Sequence, residues 1–238
     1  MKGQVDRSAA APGGKVVTIH QPDFLPWLGF FDRWRKSDVY IVLDDVQFIR
    51  QGWHHRDKIK TKDGPQWLTV PVKKKGRFDQ EIREVAIDYQ SDWRRKHLDA
   101  LRHAYRGAPN LDFMLRSLEG IYGQGRQYLI DLNLDLLRWA ASILEVHAPW
   151  VLASDLRAQG KSTARLVELV QKVGGRVYLT GLGSKDYLEE TLFKEARLAV
   201  VWQEFEPSVY RQLHGDFIPN LSVLDYLLMN AGLVREAA

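Results

Sequence analysis

The apolar positions of the chain fall into two textures. Up to about Val72, short β-branched or aromatic runs alternate with polar turns; from Ser91 to Leu144 the apolar residues recur at helical spacing. Lys15–His20 (KVVTIH) and Val39–Leu43 (VYIVL) are continuous runs of the kind that fill a strand covered on both faces. Between them, Gln21–Pro26 carries two prolines and reads as a turn, and Trp27–Lys36 places Leu28, Phe31 and Trp34 at helical spacing. Strand, turn, helix and strand in about 30 residues predict a parallel pair joined by a crossover, the opening of a Rossmann-like sheet.

Gln47–Lys62 reads as a polar, basic loop or hairpin arm, followed by an Asp63-Gly64 turn and a strand over Trp67–Val72, with Pro71 marking an edge or an end. Lys73-Lys74-Lys75-Gly76 is a charged turn, and Glu84–Ile87 a weak strand. Helices are expected over Asp92–Arg106, capped by Ser91, over Leu111–Ile121, capped by Asn110, and over Arg126–Leu144. After Pro149, VLASDL reads as a short strand. Ser162 is the expected cap of a helix over Thr163–Val173, which Gly174-Gly175 ends. Arg176–Thr180 and Leu198–Phe205 read as strands, Leu188–Ala196 and Leu221–Asn230 as helices. The fold class is therefore α/β: a Rossmann-like, mostly parallel sheet with a helix-rich insertion at about 92–150. With no repeat and no clear linker, one domain is expected over 15–238, after a loose tail at 1–14.

Composition narrows the chemistry. The 238 residues contain no cysteine, which removes disulfide scaffolds, zinc ribbons, iron–sulfur clusters and cysteine nucleophiles. No targeting signal and no apolar run long enough to cross a bilayer stands out, so a cytoplasmic protein with no membrane insertion is expected. The net charge of +4 hides an asymmetry: Arg50–Arg106 holds 15 Lys/Arg against 8 Asp/Glu, while the remainder is slightly acidic. A segment of this kind attracts anions, although a solvated basic face would give the same count.

Five constellations carry candidate chemistry. His20 and Gln21 sit at the end of the first strand, ahead of Trp27 and Gly29, where α/β sheets bind ligands. Asp44 and Asp45 end the second strand, before Gln47; such carboxylates act as a base or hold a divalent cation, with Mg²⁺ or Mn²⁺ the candidates and the metal itself unknown. Trp53-His54-His55-Arg56-Asp57-Lys58-Ile59-Lys60 mixes an aromatic platform, two imidazoles and three cations; Arg56, Lys58 and Lys60 suit a phosphate, Trp53 a base or sugar face, and His54 proton transfer. If extended, this segment places His54 and Arg56 on one face and His55 and Asp57 on the other. Gly181-Leu182-Gly183-Ser184-Lys185 is a glycine-rich turn after a strand, able to cradle an anion or simply to start a helix. His214 and Asn220 flank the last helix, where they reach toward a pocket or shape a turn. Gly160-Lys161-Ser162 has the end of a P-loop but not its start, because Asp155 stands where the first glycine is required.

Taken together, these segments resemble the WbqC-like family. The resemblance rests on His20-Gln21-Pro22 with Leu25-Pro26-Trp27-Leu28-Gly29-Phe30-Phe31, on Leu43-Asp44-Asp45-Val46-Gln47-Phe48 and on Trp67-Leu68-Thr69-Val70-Pro71-Val72. Tyr178-Leu179-Thr180-Gly181, Ser184-Lys185-Asp186-Tyr187-Leu188 and Phe217-Ile218-Pro219-Asn220-Leu221-Ser222 complete it. It implies bacterial surface-polysaccharide or natural-product biosynthesis. It also implies amides around Trp53, where this chain carries His54, His55 and Asp57.

The expected function is a group transferase, acyl, aminoacyl or nucleotide-sugar related, that binds a small anionic or nucleotide-linked donor at strand ends. His20 would be its acid/base, with Asp44 and Asp45 positioning the acceptor or a cation. An aminoacyl-tRNA or other nucleic-acid binding module and a non-catalytic scaffold of a biosynthetic complex are the alternatives.

Overall fold

A computed structural model describes residues 13–232; the tail expected at 1–14 lies outside the description up to residue 12. In chain order the elements begin with β1 (Val16–His20), α1 (Leu28–Arg35), β2 (Val39–Val42), β3 (Arg56–Thr61) and β4 (Gly64–Thr69). Helices α2 (Trp93–Ala104), α3 (Leu111–Gly123) and α4 (Leu129–Ile143) come next. Then come β5 (Trp150–Leu152), α5 (Ala153–Leu156), α6 (Ser162–Lys172), β6 (Val177–Thr180), α7 (Glu190–Glu195), β7 (Ala199–Trp202) and α8 (Val223–Met229). None of the helices among the described residues is long and apolar enough to cross a membrane.

The chain divides into two compact units, each made of discontinuous segments. The first gathers residues up to 20, then 32–43 and 148–205. It holds a parallel sheet of five strands in the order β5-β2-β1-β6-β7. The β-branched runs read from the sequence form its centre: Val17, Ile19, Val39 and Ile41 are buried with Leu169 and Val170 of α6 and Phe193 of α7. Tyr178 stacks on Phe193 with ring centroids 5.1 Å apart, and Trp34 on Trp150 at 5.6 Å. This is the α/β, Rossmann-like architecture that the hydrophobic runs imply.

The second unit gathers 21–31, 44–147 and 206 onward. It contains the antiparallel β3–β4 hairpin, with Arg56 opposite Thr69 and Lys58 opposite Trp67, and the helices α2, α3, α4 and α8. The helix-rich stretch expected at about 92–150 corresponds to α2–α4.

Local chemistry moves several expected boundaries. Glu84–Ile87 is not a strand. Ile82–Glu84 forms a 3₁₀ turn closed by a capping box in which the Glu81 and Glu84 carboxylates each accept from the other residue's backbone N–H, leaving isolated bridges Val72–Ile87 and Ala86–Tyr128. The strand expected over Trp67–Val72 runs instead from Gly64 to Thr69, ending where Thr69 faces Arg56, the first residue of β3. VLASDL is divided between the end of β5 and α5. Asp92 rather than Ser91 caps α2, accepting from Arg95 N. Asn110 stands at the start of α3 but spends its amide on Leu227 O and Asn230 O, 2.7 and 2.8 Å away. Ser162 is the first residue of α6, with Lys161 in the cap position. Ser222 caps α8 through Leu224 N.

Candidate functional site

In the first unit, β1 and β6 are neighbours in the sheet although most of the chain separates them. From β1 the chain continues to β2 on one side, and from β6 to β7 on the other. The strand order therefore reverses between β1 and β6, the position at which open α/β sheets leave a crevice beyond their carboxyl ends. His20, half-buried, ends β1; its carbonyl accepts from Leu43 N at 2.9 Å and from the Tyr40 hydroxyl at 3.2 Å. Thr180, buried, ends β6 and leads into Gly181 and a 3₁₀ turn over Leu182–Ser184. Thr180 Oγ1 and the Tyr187 hydroxyl both donate to Ser184 Oγ, at 3.2 and 3.0 Å. Lys185 is exposed just beyond. Arg33, buried, donates to Gln203 Oε1 at 3.3 Å, and Gln203 donates to Asp32 Oδ2 at 2.8 Å. The Arg33 guanidinium lies close against Gly181, where a Cβ would displace Arg33 Nη1. Burial raises the Tyr178 phenol, which keeps it neutral.

In the second unit, the hairpin presents two chemically different faces. On the exposed face the Arg56 guanidinium lies 4.3 Å and the Lys58 ammonium 4.8 Å from the Trp67 ring centroid, and Trp53 sits 5.2 Å from Trp67. Both tryptophans remain accessible, 47% and 37% exposed. On the covered face Asp57 and Ile59 are buried. Burial pushes the Asp57 carboxyl up to about 8, with Asp23 adding to the effect, so it is protonated at neutral pH although Lys58 N donates to it at 2.6 Å.

Just before the hairpin, His54 Nδ1 lies 3.0 Å from Asp23 Oδ1, with both residues buried. Asn133 of α4 ties the two loops together: its amide donates to Pro22 O and His54 O, each at 2.7 Å. Phe48 packs against both imidazoles, 5.7 Å from His54 and 5.2 Å from His55. His54 Nε2 is buried without a hydrogen-bond partner. A carboxylate-oriented imidazole with its second nitrogen unengaged is the arrangement that takes up and returns a proton. His55 is pushed down to about 4, by burial first and then by Lys74, Arg56 and His54, so it is neutral at physiological pH.

Other expected residues are placed differently. Lys60 shares the strand face of Arg56 and Lys58 by alternation but is covered there: it is 1% exposed, and its ammonium donates to Gln212 Oε1 at 3.2 Å, Gly215 O at 3.3 Å and Asp216 O. Its charge anchors the segment after residue 206 to the hairpin. His214 Nε2 donates to Ala104 O at 2.6 Å, and Asn220 adopts a left-handed turn before α8, so both shape that same segment. Gln47 is exposed and bonds Phe78 O at 3.5 Å. Gly29 admits the ring of Trp27, which a Cβ would strike, rather than a ligand. Asp44 is buried, its carbonyl accepts from Arg83 N at 3.0 Å, and Arg83 lies within electrostatic reach of Asp44 and Asp45. Among the described residues no three His, Asp or Glu side chains are grouped to hold a metal ion.

The WbqC-like protein family matches residues 21–235, most of the chain. The chain belongs to that family. It is 36% identical over 220 residues to an uncharacterized protein of Mycobacterium tuberculosis, Rv1507c, covering 92% of this chain and 94% of that one. No solved structure matches it.

The residues that sequence patterns do not reveal are Asp23, Asn133 and Arg33. Asp23 lies 31 residues from His54, and no local spacing marks a pair that distant. Asn133 stands inside an apolar helical stripe, where its polarity is the only signal.

Proposed function

We propose that this WbqC-like protein is a cytoplasmic group transferase of bacterial surface-glycan or natural-product biosynthesis. It binds an anionic donor, phosphorylated, nucleotide-linked or aminoacyl, at the strand ends of its parallel sheet. The observation that carries this reading is the reversal of strand order between β1 and β6. It sets His20, Thr180 and the Gly181–Ser184 turn on adjacent strands, with exposed Lys185 beyond. A turn of this kind offers backbone N–H groups to oxygen anions, and Lys185 adds a cation. His20 is the acid/base, taking the proton of the attacking acceptor as the donor's leaving group departs. In a reconstituted transfer assay, His20→Ala should lower turnover by about 100-fold or more with the melting temperature unchanged. A folded His20→Ala protein with full activity contradicts the assignment.

A second reading, an RNA face for an aminoacyl-tRNA donor, is favoured by the accessible Trp53–Trp67 pair with Arg56 and Lys58 beside it. Bases stack on such platforms, and phosphate contacts make binding fall steeply with salt. Filter binding should then weaken by about tenfold or more between 50 and 200 mM salt, and Trp53→Ala should reduce it at every salt concentration. No retention at low salt rules this reading out.

A further inference from the structure

The second unit contains a group of cations that the strand-end reading does not use. Arg50 donates from Nη2 to Lys74 O at 3.1 Å and to Arg77 O at 3.3 Å, and its guanidinium lies 4.4 Å from the Phe78 ring centroid. Arg50 is thereby fixed under the charged turn that carries Lys74. Arg56 is held by Gln51 O and by the Trp67 ring, yet its Nε is buried without an acceptor. His55 Nδ1, one residue earlier, is likewise buried without a partner.

These groups stand close enough to act on one another. The Lys74 ammonium is held below its ordinary range by burial first, then by repulsion from Arg50 and Arg56. Among the described residues no carboxylate pairs with Arg50, Arg56 or Lys74. Proteins do not usually gather cations and buried donors with no countercharge, since the cations repel one another and a buried donor without an acceptor loses its hydration uncompensated.

We propose that Arg50, Arg56, Lys74 and His55 form a subsite for the phosphate group of a small-molecule ligand. A phosphate carries close to two negative charges and several acceptor oxygens. It answers an arginine fork and a lysine point charge together better than a carboxylate does. Arg50, Arg56 and Lys74 are half-buried, whereas Lys73, Lys75 and Arg77 on the same turn are exposed. This is the distribution of a seat for one compact group rather than of a track for a long polyanion. The open cleft of about 560 Å³ along the same turn is lined in part by Asp79 and Glu84, which excludes it as the anion seat. The subsite lies wholly in the second unit and does not depend on the strand-end donor reading.

Isothermal titration of the full chain with inorganic phosphate and with diphosphate, at constant ionic strength, tests the proposal. Saturable binding is expected. Lys74→Met and Arg56→Lys should each weaken it by about tenfold, while Lys75→Met, on the same turn but exposed, should leave it within about twofold. Arg56→Lys keeps the charge and removes only the Nε donor and the fork, so it serves even if Lys74→Met disturbs the turn. The proposal is overturned by an absence of saturable binding, or by equal weakening in Lys75→Met, which would reduce it to diffuse attraction. Binding untouched by Lys74→Met and Arg56→Lys but lost in Lys185→Met would place the phosphate at the strand ends instead, and equally overturns it.

Discussion

Asp57 and His55 lie two residues apart and are displaced in opposite senses, one pushed up to about 8 and the other down to about 4. Buried His97, pushed down to about 4 by burial in spite of its bond to Thr69 O, behaves like His55. A histidine with a lowered folded value contributes stability that is complete above its unfolded value of 6.5 and lost as pH falls toward 4. Asp57, with a raised folded value, contributes stability that is complete below 3.8 and lost as pH rises through 8. From these groups, stability should climb with pH up to about 6.5, where the two histidines outweigh Asp57, and then decline. Urea unfolding at pH 6.5 and 8 should show a net loss of about 1 kcal/mol in the native chain, the fall from Asp57 being partly offset by the two histidines, and no loss in Asp57→Asn. An equal loss in Asp57→Asn would assign the decline elsewhere. At this scale the sequence reveals residue types but not pairings. The imidazoles of His20 and His54 stand out as candidate side chains in the sequence, whereas Asp23 does not, because its partnership with His54 exists only once distant loops meet. The enclosure of Lys60 is hidden for the same reason: nothing local shows that a segment about 150 residues later will cover it.

At the scale of elements, Asn133 is the clearest case of one side chain fixing several parts. Its amide holds Pro22 O and His54 O from the middle of α4, and it is fully buried. Asn133→Ala leaves both carbonyls without that donor and should cost about 2–4 kcal/mol of unfolding free energy, measured by denaturant titration. A loss under about 1 kcal/mol would mean that the loops hold themselves. Gly29→Ala should destabilise by about 1–3 kcal/mol, because the added methyl meets the Trp27 ring. The stripes of α4 and α6 and the β-branched runs of β1 and β2 were readable, since burial on one face or on both leaves a period in the sequence. The 3₁₀ turn at Ile82–Glu84 was not, because it is fixed by side-chain-to-backbone bonds of two glutamates that any exposed strand could also carry. Caps were legible to within a residue, as Ser91 and Asp92 show, since either side chain is chemically able to accept.

At the scale of the molecule, the parallel sheet was legible and the division into two units was not. The units are assembled from alternating stretches of chain, with changes near residues 20, 31, 43, 147 and 205 and no linker composition at any of them. The helix-rich stretch reads as an insertion, yet it folds with residues 21–31 and with the segment from 206 onward. Strand order was likewise beyond the sequence, because only hydrogen bonding shows that β6, not a strand nearer in the chain, lies beside β1. That adjacency creates the strand-end position on which the functional proposal rests. Its most direct test is a thermal-shift panel of phosphorylated, nucleotide-linked and aminoacyl donors on the full chain, repeated with Lys185→Met. The account predicts that one donor class raises the melting temperature with the logarithm of its concentration above Kd, by roughly 2.7 kcal/mol of added stability at 100 times its Kd, and that Lys185→Met weakens this response. A panel in which no donor shifts the melting temperature, or a shift that Lys185→Met leaves unchanged, would contradict it.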